Sequence, residues 1–166
     1  MKRNQLGLTA IEMKMLPTAA RRELARMGIK EPVEEHKVFV YGTLIAGECN
    51  AHWAGNARRQ KAWTTGTIYD TGWGYPAFVK RGRTRIAGEL LTVDDDGFRS
   101  MDRLEGYPRL YRREQIQVHL VGGGSVLAWV YIMNNLREDA KVIESGDWVA
   151  YRKAKDAARL AASELK

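Results

Sequence analysis

Cysteine is almost absent from this chain: Cys49 is the only one in 166 residues, so no intramolecular disulfide and no thiolate-rich zinc site can form. Its expected state is a small buried side chain rather than a nucleophile, although His52 lies near in sequence. The three histidines, His36, His52 and His119, show no metal-ligand spacing, and no serine stands in a G-x-S-x-G elbow. No apolar run approaches bilayer length, and the opening MKRNQLGLTA lacks the apolar block of a secretory signal. The expectation is a cytoplasmic chain without membrane association.

Charge of one sign is not concentrated either. The net +7 divides into +3 over residues 1–37, +3 over 38–136 and +1 over 137–166. Lys80-Arg81-Arg83-Arg85 and Arg109-Arg112-Arg113 read as solvated rims, and with no recognised reading motif nucleic acid is not an expected partner. Asp94-Asp95-Asp96 lacks the alternating twelve-residue spacing of an EF-hand.

What is present is a long β-rich stretch behind a helical arm. Residues 1–36 form the arm and linker: Thr9 with Glu12 makes a capping-box pattern, and Pro17-Thr18 opens a helix that Gly28 closes. The domain then runs over 37–166. Val38 to Leu44, VFVYGTL, is an apolar run handed directly to a glycine, which predicts a strand buried on both faces followed by a sharp turn. Asn50 is expected to cap a short helix through Trp53, Ala57 and Arg58, and Gly66–Asp70 to form the next strand. Ala77–Val79 and Arg85–Val93 continue the β pattern, with Arg81-Gly82 between them expected as a hairpin turn. Asp94 caps a helix whose Phe98, Met101 and Leu104 share one face, stopped by Gly106-Tyr107-Pro108. Glu114–Leu120 and Ser125–Met133 form a hairpin around Gly122-Gly123-Gly124, and Asp147 caps a final helix with a weak stripe of Tyr151, Ala154, Ala158 and Ala161. The fold class is α+β: a small, mostly antiparallel β-barrel with short helices and an N-terminal helical arm.

Two carboxylates could do proton chemistry. Glu105, between Leu104 and Gly106-Tyr107-Pro108, has apolar neighbours on a rigid bend, which raises a carboxyl pKa. Glu89, within Ile86-Ala87-Gly88-Glu89-Leu90-Leu91, is the second, on a strand where it reads equally as an outward or hydrogen-bonded side chain. Composition does not separate the two.

The pieces VFVYGTL, GTIYDTGWGYP, IAGEL, MDRLEGYPRLYRR and SGDW, in this order over roughly residues 37–150, resemble the γ-glutamylcyclotransferase family, including its γ-glutamylamine cyclotransferase and AIG2-like members. The resemblance implies a barrel whose cavity binds a small-molecule γ-glutamyl substrate and releases 5-oxoproline, the α-amine attacking its own γ-carbonyl, with no cofactor and no metal. It matches Glu105 to the family's catalytic glutamate and Tyr41, Gly42, Thr43 and Leu44 to its substrate-binding loop. It also matches Tyr75 and Pro76 to the loop beside the cavity and Tyr111 to a tyrosine near the active site. The alternative is a catalytically inactive module binding a γ-glutamyl-type ligand or a partner.

Overall fold

Alternation in five strands closes one sheet on itself. In the computed structural model, which describes residues 2–164, β1 (His36–Val40) pairs antiparallel with β3 (Pro76–Val93) from His36↔Val93 to Val40↔Glu89. On its other side β1 meets β5 (Ser125–Met133) at Val38↔Trp129. β5 pairs with β4 (Tyr111–Leu120), β4 with β2 (Arg58–Asp70), and β2 with β3, which completes the ring; β6 (Lys141–Val142) adds to the far end of β2. The β1–β5 contact is parallel and the rest are antiparallel, so the barrel is mixed rather than wholly antiparallel.

The chain divides into two compact units, Met1–Glu35 and His36–Lys166. In the first, α1 (Ala10–Met15) opens with the reciprocal capping box of Thr9 and Glu12, the Thr9 N–H reaching Glu12 Oε2 at 2.7 Å. α2 (Thr18–Arg26) closes with bonds from Gly28 N to Ala25 O and Ile29 N to Leu24 O. No helix among the described residues is long and apolar enough to cross a membrane.

Two cores share the strands of the second unit. Phe39, Ile68, Phe78, Ile86, Val118 and Val130 come from all five strands and fill the barrel, joined by Trp148. The opposite parity of β1, β3 and β5, with Val38, Val40, Leu91, Val93, Tyr131 and Met133, packs against α3 (Asp95–Leu104) through Phe98, Met101 and Leu104. β1 is therefore buried on both faces, as its unbroken apolar run requires.

Three local expectations are corrected. Arg81-Gly82 is not a hairpin turn: β3 is one strand of 18 residues paired along its length with β2, and residues 80–83 form an irregularity where the register passes from Gly66↔Thr84 to Thr67↔Val79. Asn50 does not cap a helix through Arg58; a 3-10 turn covers Ala51–Ala54, the Asn50 side chain bonds Thr43 instead, and Arg58 already begins β2. α4 (Trp148–Glu164) has the weak apolar stripe its sequence offers: Trp148 is buried, Val149 and Tyr151 pack against the barrel core, and polar contacts add to them. Asp147 accepts from Ala150 N, Tyr151 and Lys155 meet Asp70 at 2.7 and 2.6 Å, and Ala154, Ala158 and Ala161 are exposed. Cys49 is exposed, not buried.

Candidate active site

Where α3 stops is fixed by a turn that only glycine enters cheaply. Gly106 has φ +61°, its N–H bonds Arg103 O and the Tyr107 N–H bonds Asp102 O at 2.9 Å, the paired bonds of a Schellman motif. Glu105 is thus the C-cap residue, and it faces a cavity of about 220 Å³ at the seam between the two cores. That volume is below the range of drug-sized sites and suits a group of amino-acid size.

The opposite wall is the turn that follows β1. Tyr41, Gly42, Thr43 and Leu44 line the cavity, and so do Tyr75, Pro76 and Tyr111, so all eight residues singled out in the sequence meet at one place. Gly42 is required for space rather than for backbone freedom: a Cβ there would stand 2.6 Å from Pro76 Cγ. The turn's own backbone bonds run from Ile45 N to Gly42 O and from Asn50 N to Thr43 O. Among the described residues the N–H groups of Gly42, Thr43 and Leu44 enter no backbone hydrogen bond of this turn, which leaves donors for a ligand oxygen.

Beyond the apolar Phe39, Val40, Leu104 and Leu110, two polar lining residues escaped the sequence reading. Asn50 donates from Nδ2 to Thr43 Oγ1 at 3.0 Å and so braces the turn; a side chain expected as a helix cap gave no sign of this. Tyr131 sits in the apolar alternation of β5, where nothing distinguishes it from core. Its hydroxyl donates to Asp102 Oδ1 at 2.7 Å, as Tyr41 donates to Tyr131 O at 2.9 Å and Tyr111 to Pro76 O at 3.3 Å. Each hydroxyl proton is committed to a protein acceptor. Burial raises the pKa of all three tyrosines, and the nearby Glu105 charge raises them further.

The two carboxylates separate cleanly here. Burial pushes Glu105 up from 4.5 to about 7, and no cation or hydrogen-bond donor among the described residues opposes it. Its place at the negative end of α3 acts in the same direction. Burial also pushes Glu89 up, but the Ala46 N–H at 3.1 Å, Arg59 at 2.9 Å and Lys61 at 3.4 Å outweigh it and hold the carboxyl below its ordinary value. Arg59 further donates to Leu44 O and Ala51 O, each at 2.9 Å, so the Glu89–Arg59 pair braces the loop that forms the cavity wall. No group of three His, Cys, Asp or Glu side chains among the described residues is placed to hold a metal ion.

A closed mixed barrel with short helices is the class of fold found in AIG2-like proteins. The barrel is similar to that of an AIG2-like protein from Mus musculus, with 27% identity and a TM-score of 0.57 over 64% of this chain and 82% of that one. It is also similar to YkqA from Bacillus subtilis, with 25% identity and a TM-score of 0.60 over 75% of this chain, which spans 43% of the length of YkqA. The chain belongs to the gamma-glutamyl cyclotransferase, AIG2-like family, whose model matches residues 38–150. A curated relative, the gamma-L-glutamyl-butirosin B gamma-glutamyl cyclotransferase of Niallia circulans, is 35% identical over 123 residues, 69% of this chain and 76% of the relative.

Two stability outcomes follow from these environments. Glu105 binds its proton more tightly in the folded chain than in the unfolded one, so stability falls as pH rises from 4.5 to about 7. Glu105→Gln removes that loss: in urea unfolding the variant is more stable than wild type at pH 8, and the difference disappears below pH 4.5. At ~1.4 kcal/mol per pH unit the ceiling is ~3 kcal/mol, which water at the cavity mouth lowers to roughly 1–2 kcal/mol. Glu89→Gln has the opposite sign, since it leaves Arg59 without its counter-charge; a loss of roughly 2–4 kcal/mol is expected at pH 7, measured by the same unfolding.

Proposed function

We propose that this protein is an active γ-glutamyl cyclotransferase that releases 5-oxoproline from a γ-glutamyl amine or γ-glutamyl amino acid. The observation that carries this reading is a carboxylate poised near neutrality, without a counter-ion, in the same small cavity as a turn with unused N–H groups. Glu105 takes a proton from the substrate's α-ammonium, which frees the nitrogen lone pair to attack the γ-carbonyl carbon. A C–N bond forms, the five-membered ring closes, and the old amide C–N bond breaks. The two protons lost by the α-ammonium end on the leaving nitrogen, one of them returned by Glu105, so the leaving group departs as an ammonium.

Ring closure is intramolecular, so holding the γ-glutamyl chain curled supplies much of the acceleration. In this reading the N–H groups of Gly42, Thr43 and Leu44 hold the γ-glutamyl group and stabilise charge developing on its carbonyl oxygen. Tyr75, Pro76 and Tyr111 wall the cavity and keep water from the carboxylate, which sustains its raised pKa. The domain from residue 37 carries the site, residues 1–36 are an extension outside it, and the exposed thiol of Cys49 suits a cytoplasmic setting.

The test is release of 5-oxoproline from a panel of γ-glutamyl compounds. Glu105→Gln is expected to lower kcat by roughly 10²–10⁴-fold while the fold is retained, and full activity in that variant overturns the assignment. The base must be ionised to act, so kcat/KM rises with pH through an acid limb centred near the Glu105 value of about 7. A limb near 4.5 would assign the base to another carboxylate.

A further inference from the structure

We infer that Asp102 is a positioning residue for Glu105: its carboxylate fastens the last turn of α3 to the β4–β5 ladder and so holds the Glu105 side chain in the cavity. Asp102 lies one turn before Glu105, and both of its oxygens are used. Oδ1 accepts from Tyr131 Oη at 2.7 Å, and Oδ2 faces Arg113 at 3.2 Å. These two partners are not independent, because Arg113 of β4 and Tyr131 of β5 stand opposite each other in the sheet register. Asp102 therefore grips a single rung of the ladder from the helix above it.

That rung is itself held. The Arg113 guanidinium lies 4.4 Å from the Phe98 ring of α3, 4.1 Å from the Tyr107 ring of the turn after it, and 5.4 Å from the Trp129 ring of β5. Three rings from the elements that must meet surround one cation. The grip reaches Glu105 through the backbone, since the Asp102 carbonyl accepts from the Tyr107 N–H in the turn that makes Glu105 the helix cap. Tyr111, two residues before Arg113 on the same strand face, lines the cavity beside Glu105. If the turn loosens, water enters around Glu105 and the condition that sets its proton affinity is lost.

The titratable groups that share the cavity with Glu105 are Tyr41 after β1, Tyr75 before β3, Tyr111 of β4 and Tyr131 of β5, with Asp102 one turn back on its own helix and Arg113 behind Asp102. This arrangement gives Arg113→Gln a decisive sign. No cation among the described residues lowers the Glu105 pKa, so loss of the Arg113 charge alone leaves it unchanged or raises it, whereas release of the turn to water lowers it toward 4.5. The experiment is an NMR titration of the Glu105 carboxyl in the full chain, with amide hydrogen exchange at Glu105 and Tyr107 on the same samples. The expected result for Arg113→Gln is a titration midpoint at least one pH unit below wild type and exchange at both amides at least tenfold faster. An unchanged or raised midpoint with unchanged exchange overturns the inference. If Arg113→Gln does not fold, Asp102→Asn decides by exchange, which loss of charge alone leaves unmoved. The titration needs no turnover, so it judges Asp102 even if wild type releases no 5-oxoproline; where turnover is present, kcat falls at least tenfold in Asp102→Asn with KM within twofold. This last arm alone rests on the cyclotransferase reading.

Discussion

A carboxylate kept from water without a counter-charge is the constraint on which the rest of this structure depends. Desolvation opposes ionisation, and a protein ordinarily escapes it by supplying a cation or several donors. Neither reaches Glu105 from the described residues: the cavity lining is tyrosine, leucine, proline, phenylalanine, valine and glycine, with Thr43 and Asn50 bonded to each other. Even the hydroxyls of Tyr41, Tyr111 and Tyr131 direct their protons elsewhere. A group held in this way has a pKa near neutrality because nothing rescues its charged form, so every element that keeps water and cations out sustains that pKa.

Glu89 shows what the same side chain becomes when the escape is allowed. Arg59 and Lys61, both on β2, reach across to β3 and stabilise its charge, and the pair is used to brace the loop from Gly42 to Ala51. One glutamate thus holds the cavity wall as a permanent anion, and the other faces the cavity poised between its two states. Opposite environments set the proton affinities of two carboxylates apart within one fold.

Much of this was legible in the sequence, and the limits have physical reasons. Asp94 as a cap, the 98/101/104 stripe and the Gly106 stop are local signals, so α3 and the place of Glu105 at its end were readable, as were β1 and the β4–β5 hairpin. The eight site residues came from resemblance to a family, and they converge on one cavity. What failed was non-local. A glycine between two apolar segments looks the same whether the chain reverses there or merely slips register, and only the continuous pairing of β2 with β3 makes residues 80–83 an irregularity. The parallel β1–β5 contact joins strands some 90 residues apart in sequence, and the fate of Glu89 turned on Arg59 and Lys61, 30 and 28 residues before it.

The site's location follows from the alternation of β1. Phe39 and Tyr41 enter the barrel core while Val38 and Val40 enter the core under α3, and strand pairing ends at Val40. Past that point the chain has left the ladder but still runs between two packed interiors, so its N–H groups lose their strand acceptors where apolar walls keep water scarce. A cavity at such a seam has unused donors on one side as a consequence of topology. The α3 core then has only to end its helix opposite those donors for a carboxylate to face them, and Asp102, Arg113 and the Gly106 turn determine where that helix ends.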